Sequence, residues 1–152
     1  MPTLPEPLFR RAVIGLTGGS SDERMVRIAC QLAKPYKSAI VGVHVVEIDW
    51  TLPLDADVAG RNEEVQRVLD VAETTAEDVG YTLTPVLLQA RDVGAALVDE
   101  ASERGADLLM LGLAYRTKFG GDFAIGQTIP YVLKNAPCAV WVVREPMPGG
   151  QP

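Results

Sequence analysis

Glycines and basic residues gather after an apolar run near position 110, in LMLGLAYRTKFGGDFAIGQT (109–128). Gly112 closes the run. Gly120, Gly121 and Gly126 follow, with Arg116 and Lys118 ahead of them and Thr128 at the end. These residue types suit the binding of a phosphate. A backbone without Cβ approaches an anion closely and reaches positive φ. A helix starting near Gly126 turns its free N–H groups and the positive end of its dipole into the same space. The amide of Gln127 and the hydroxyl of Thr128 can bond a phosphate oxygen, and Arg116 and Lys118 add charge. The spacing is neither G-x-G-x-x-G nor G-x-x-x-x-G-K-[ST]. On residues alone, a solvated surface loop with glycines that relieve strain stands open beside the phosphate reading.

Other reactive side chains are few. His44 is the only histidine, which excludes a multi-histidine metal site. Near the end of a buried strand it reads as a satisfied core group or as a base. No Ser or Cys stands in a nucleophile elbow, and no triad can be assigned. Cys30 and Cys138 form no C-x-x-C and read as small buried apolar groups, so no metal site is expected. Asp107 reads as a turn or cap residue. Glu63, Glu64, Glu73, Glu77 and Asp78 read as the solvated face of a helix. Trp50 either pins a long connection or lies over a crevice mouth.

Bulk properties narrow the partners. Hydrophobic residues make up 47% and charged residues 22% of the 152, the mix of a soluble globular domain. A net charge of -6 argues against nucleic acid, which needs a basic footprint. No apolar run approaches the roughly 18 residues of a membrane helix, and the N-terminus lacks a signal-peptide layout. The expected location is cytoplasmic, with neither membrane nor nucleic acid as partner.

The elements that must position these residues alternate along the chain. Short apolar runs at 12–17, 39–46, 82–88, 107–112 and 138–143 predict strands, the first buried on both faces. Met25, Ile28, Ala29 and Leu32 give a first helix its apolar stripe, with Ser20 and Glu23 at capping-box spacing. A second helix runs from 62 to a stop at Gly80. Asp92 caps a third that stops at Gly105. A short fourth covers 127–135, with Pro130 in its first turn. Pro85 cannot donate to a ladder and belongs on an edge strand. This alternation predicts a single-domain, doubly wound α/β fold over 10–144, a parallel sheet with helices on both faces, between tails 1–9 and 145–152. In such sheets ligands sit beyond the strands' carboxyl ends, where the winding reverses. Gly18-Gly19 after the first strand and Gly112 after the fourth would face one crevice if those strands are neighbours, so that the amides of Gly18, Gly112 and Gly126 converge. "CAVWVV", as an edge strand, invites pairing with a second copy. Val140, Trp141, Val142 and Val143 would form that homodimer interface, with Trp141 its anchor unless it packs on its own helices.

From Arg10 to Arg144 the chain resembles the universal stress protein family. "RRAVIGLT" sits where that family has its first strand. "VGVHVVE" is similar to its "LLHVVE", "ADLLMLG" to "ADLIVMG", and "YVLKNAPCAVWVVR" to "YVLRHAPCPVLVVR". The resemblance implies a Rossmann-like five-stranded sheet in the order 3-2-1-4-5, dimerisation through the last strand, and a stress-response role. Nucleotide-binding members carry G-x-x-G, nine residues, then G-[ST]. Gly112 matches the first glycine and Gly126 the third. Tyr115 stands at the second, the gap is one residue longer, and Gln127 stands where Ser or Thr should be, with Thr128 next to it. The aspartate that ends the first strand in those members is replaced by Thr17, or by Gly18 on a shift of one. Val45 matches the position that packs on adenine. The implied ligand is ATP, another adenine nucleotide or a related small anion. The family also has members that bind no ATP, so an interaction module acting through its dimer surface stays open. No residue offers itself as a base to activate water, so at most slow ATP hydrolysis is expected.

Overall fold

The computed structural model describes residues 5–56, 63–116, 122–123 and 125–147. β1 (Arg11–Leu16), β2 (Ala39–Glu47), β3 (Thr84–Ala90), β4 (Leu108–Leu113) and β5 (Ala139–Arg144) form one sheet. α1 (Ser21–Ala33), α2 (Glu63–Val79), α3 (Val93–Glu103) and α4 (Thr128–Asn135) connect or flank them. All strand pairs are parallel, and the spatial order is β3-β2-β1-β4-β5. A short antiparallel pair, Tyr115–Arg116 with Asp122–Phe123, stands apart after β4. The expected order 3-2-1-4-5 therefore holds, and the direction of winding reverses between β1 and β4.

β1 is central because its residues are apolar on both sides. Residues 12–16 are all buried, half against each layer. Ala12, Ile14 and Leu16 face α1 and α2 with Met25, Val26, Leu69 and Met110. Val13 faces α3 and α4 with Val43, Leu97, Leu109, Leu111 and Val132. Strict alternation of side chains along a strand thus sorts a continuous apolar run into two cores. Pro85 lies on β3, an edge strand paired only with β2, where its missing N–H costs no ladder bond.

Several local expectations are corrected. β1 starts one residue early because Arg11 pairs with Ala39, and Thr17 leaves the ladder. Ser20 makes no side-chain cap on α1; its hydroxyl donates instead to Glu145 Oε1 at 2.5 Å. Asp92 does cap α3, accepting from the Ala95 amide at 2.9 Å. Phe9, assigned to the N-terminal tail, is buried, and its carbonyl accepts from the Ser38 hydroxyl at 2.7 Å. Asp107 ties down the start of β1, taking the amides of Arg10 at 2.8 Å and Arg11 at 2.9 Å. Trp141 packs within its own protomer, edge-to-face on Phe9 with ring centroids 6.1 Å apart. Trp50 is 80% exposed and lies against the Arg91 guanidinium, 4.9 Å from the ring centre. Arg91 in turn donates to the Asp49 carbonyl at 2.5 Å, so Trp50 is held to the end of β3.

Candidate functional site

Beyond the carboxyl ends of β1, β2 and β4 the molecule opens on both sides of the sheet. On the α3/α4 side lies a hollow of about 270 Å³, walled by Val43, Val45, Leu97 and Leu111 and closed at one end by Gly112 and by Gly126 to Ile129. On the α1/α2 side lies a wider hollow of about 660 Å³, with Gly18, Asp22 and His44 on its floor and Glu64, Arg67 and Val68 along its rim. Thr17 borders both.

The predicted site residues divide between them. Thr17, Val45, Gly112, Gly126, Gln127 and Thr128 line the smaller hollow. Gly18 lines the other, and Tyr115 lines neither. Lys118, Gly120 and Gly121 fall outside the described residues, and of Arg116 only the backbone is described, paired with Asp122.

Gly18 departs because its amide has an owner. It donates to Asp22 Oδ2 at 2.8 Å, and the Thr17 amide donates to Asp22 Oδ1 at 3.1 Å. Gly18 sits at φ +86°, and a Cβ there would stand 3.0 Å from Val68, on the α2 side. The expected convergence of three amides is thus reduced to the segments around Gly112 and Gly126.

The two remaining glycines are glycine for different reasons. Gly126 has φ +64° with open space where a Cβ would stand, so the left-handed backbone alone demands it. It turns the chain into α4, which begins at Thr128 with Gln127 in front. Pro130 in that first turn supplies no N–H, so the amides of Thr128 and Ile129 carry the positive end of the helix beside the hollow. Gly112 answers to packing: a Cβ there would fall against the Ser21 Oγ, 2.8 Å from the Ser21 Cβ and 3.0 Å from Met25 Cε. It lets the start of α1 close onto β4.

Asp22, on the floor of the wider hollow, was not singled out from the sequence. An acid in the first turn of a helix reads as ordinary dipole compensation. Here it reaches back across the Thr17–Gly18 turn and is buried. Burial raises its pKa above the usual carboxylate range, opposed by the bonds from the Thr17 and Gly18 amides and by His44. His44 donates from Nδ1 to the Leu16 carbonyl at 2.8 Å, which fixes its ring on the α1/α2 side, out of the smaller hollow. A raised carboxyl pKa means the folded chain binds that proton more tightly than the unfolded chain. Its contribution to stability is full below the unfolded pKa and is lost as pH rises through the folded one. In thermal melts between about pH 7 and pH 4, the wild type should therefore gain on Asp22→Asn as the pH falls. A difference that stays constant across that range would show that burial does not perturb Asp22.

A second carboxylate enters from the far end of the chain. Glu145, just past β5, accepts from the Ser20 hydroxyl through Oε1 and from the Tyr115 amide through Oε2 at 3.3 Å. Its own amide donates to the Leu113 carbonyl at 3.0 Å. Glu145 thereby bridges the loop after β1 and the loop after β4. Among the described residues, no group of three or more metal-ligating side chains is assembled, and no helix is long and apolar enough to cross a membrane.

A parallel sheet wound both ways from β1 and β4, with a ligand-sized hollow at the reversal, defines a Rossmann-like α/β protein. Within that class the chain belongs to the universal stress protein family, whose sequence profile matches residues 8–144. It is 25% identical over 147 residues to the universal stress protein MJ0531 of Methanocaldococcus jannaschii, covering 93% of this chain and 85% of that protein. The same fold is found in the universal stress protein of Archaeoglobus fulgidus in complex with dAMP, with a TM-score of 0.66 at 20% identity over 90% of this chain and 98% of that one. A universal stress protein in complex with cAMP aligns with a TM-score of 0.65 at 20% identity, over 89% and 96% of the two chains.

Proposed function

We propose that this protein is a regulatory universal stress protein that holds an adenine nucleotide in the hollow between β1, β4 and the start of α4, and acts by binding, not turnover. The observation that carries the reading is the hollow itself. Its apolar walls, Val43, Val45 and Leu111, suit the faces of a base. Its end, Gly126 to Thr128, presents amides and a hydroxyl to an anion. At about 270 Å³ it falls just under the roughly 300–1,000 Å³ of small-molecule pockets, room for the nucleoside part with its phosphate toward the mouth. Relatives with this fold hold dAMP and cAMP. Among the described residues lining it there is no carboxylate or imidazole. The reading includes a cytoplasmic homodimer joined through β5, with the ligand favouring one arrangement of the loop after β4 only through unequal affinity for the two.

The test is a thermal-shift screen of the full chain with adenosine, AMP, ADP, ATP and cyclic dinucleotides, alongside mass spectrometry of small molecules released on denaturing the purified protein. A ligand at a hundred times its Kd stabilises by about 2.7 kcal/mol, which at this size lifts Tm by roughly 5–10 °C. Curves unmoved by every one of them would favour a second reading, an interaction module. Exposed Tyr131 and Leu133 on α4 and exposed Val142 on β5 are the surface that reading would use.

A further inference from the structure

The turn between the two hollows is held from the α1 side of the sheet. Resting on the adenine reading above, we infer that Asp22 is a positioning residue for the nucleoside, acting through Thr17. Asp22 lines the wider hollow, whereas Thr17 borders both. The Asp22 carboxylate takes the Thr17 amide on Oδ1 at 3.1 Å and the Gly18 amide on Oδ2 at 2.8 Å. The Thr17 hydroxyl donates to the same Oδ1 at 3.4 Å and accepts from the Gly19 amide at 3.1 Å. The Asp22 amide closes the ring on the Gly19 carbonyl at 3.2 Å. Just before the turn, His44 Nδ1 holds the Leu16 carbonyl at 2.8 Å. With Gly18 at φ +86°, two successive N–H groups turn to one side, a concavity that favours an anion. Asp22 supplies that anion from within the chain, and bonds to a carboxylate are stronger than bonds to a neutral acceptor. Thr17 has left the β1 ladder, so these bonds fix where it stands against the smaller hollow.

Asp22→Asn is the variant to use. Asparagine keeps the shape but has one oxygen and one NH2 group, so one of the two amides meets a donor and the turn is released. Calorimetric titration of the full chain compares adenosine and AMP. In Asp22→Asn both should bind about tenfold more weakly than in the wild type. The factor should be the same for both, because the wall that moves belongs to the nucleoside part. Ile40→Val is the control for plain destabilisation. Ile40 lies in the core that Asp22 borders, at the start of β2 and the opposite end of the strands. That variant should lower Tm by a few degrees and leave both affinities where they were. In amide NMR spectra of the wild type, the Thr17 and Gly18 resonances should shift as adenosine is added. Undiminished adenosine affinity in Asp22→Asn would overturn the inference and leave the adenine site standing. So would an equal loss in Ile40→Val, which would mark a global effect, or resonances of Thr17 and Gly18 that ignore the ligand. A variant in which AMP gains on adenosine would overturn it too, since the carboxylate would then act by charge and not by position. No binding of adenosine or AMP by the wild type would remove the adenine reading, and this inference with it.

Discussion

Gly112→Ala should lower the melting temperature by roughly 4–8 °C, on an expected cost of about 2 kcal/mol. The new methyl would press on Ser21, at 2.8 Å from its Cβ, and on Met25 Cε at 3.0 Å. Ser21 opens α1 and is buried, so it has no free rotamer into solvent. Met25 can yield at its flexible end, but the Ser21 Cβ moves only with the helix. Overpacking of this kind typically costs about 1–3 kcal/mol, and alanine's small advantage over glycine in a strand offsets little of it. The collision makes a sharp control available. Ser21→Gly removes both of the nearest atoms, so in that background Gly112→Ala should be nearly silent, with a coupling energy of about 1–2 kcal/mol in the double-mutant cycle. An alanine that leaves Tm unmoved but abolishes nucleotide binding would return Gly112 to the role of an anion-approach glycine. Additive costs in the cycle would mean that the strain lies elsewhere than Ser21.

Val142→Asp should convert the proposed dimer to a monomer of 16.3 kDa in sedimentation, weakening self-association at least about a hundredfold. β5 pairs with β4 on one side only, and its outer edge offers unpaired backbone groups that invite another strand. Val142 is 37% exposed, while Val140 and Val143 are half-buried against the two cores of their own protomer. A two-fold axis beside β5 brings each such residue near its copy. Aspartate there places two like charges in an apolar contact, and a buried carboxylate left unpaired costs about 3–5 kcal/mol. The monomer's own fold should survive, because Val142 gives little to either core. A variant that still sediments as a dimer would move the interface to another face, with Tyr131 and Leu133 of α4 next in line. A monomeric wild type would end the dimer proposal altogether.

These two positions also mark how far the sequence could be read. At Gly112 the residue type was visible, but close anion approach and close helix approach leave the same mark on a sequence. Only the nearness of Ser21, brought over by the crossover from β1, separates them. On β5 the apolar run announced an edge strand. That Trp141 turns inward depends on Phe9, at the other end of the chain and outside the predicted domain. Gly18 was expected in the shared crevice because it follows β1. The alternation of strand faces and the reach of Asp22 put it on the other side of the sheet.

What the sequence determined unaided is whatever depends on neighbours along the chain. Runs of four to eight apolar residues became strands, stripes at helical spacing became helices, Gly80 and Asp92 ended and began helices, and Pro85 chose an edge. Tertiary structure alone decided which donors are spent. Ser20 and Glu145 are 125 positions apart, and no local pattern reports that a carboxylate will arrive at a given amide from so far away. Hydrogen bonding is directional and short-ranged, so the partner of each polar group is settled only after the apolar pattern has folded the sheet and brought distant ends within about three ångströms of each other.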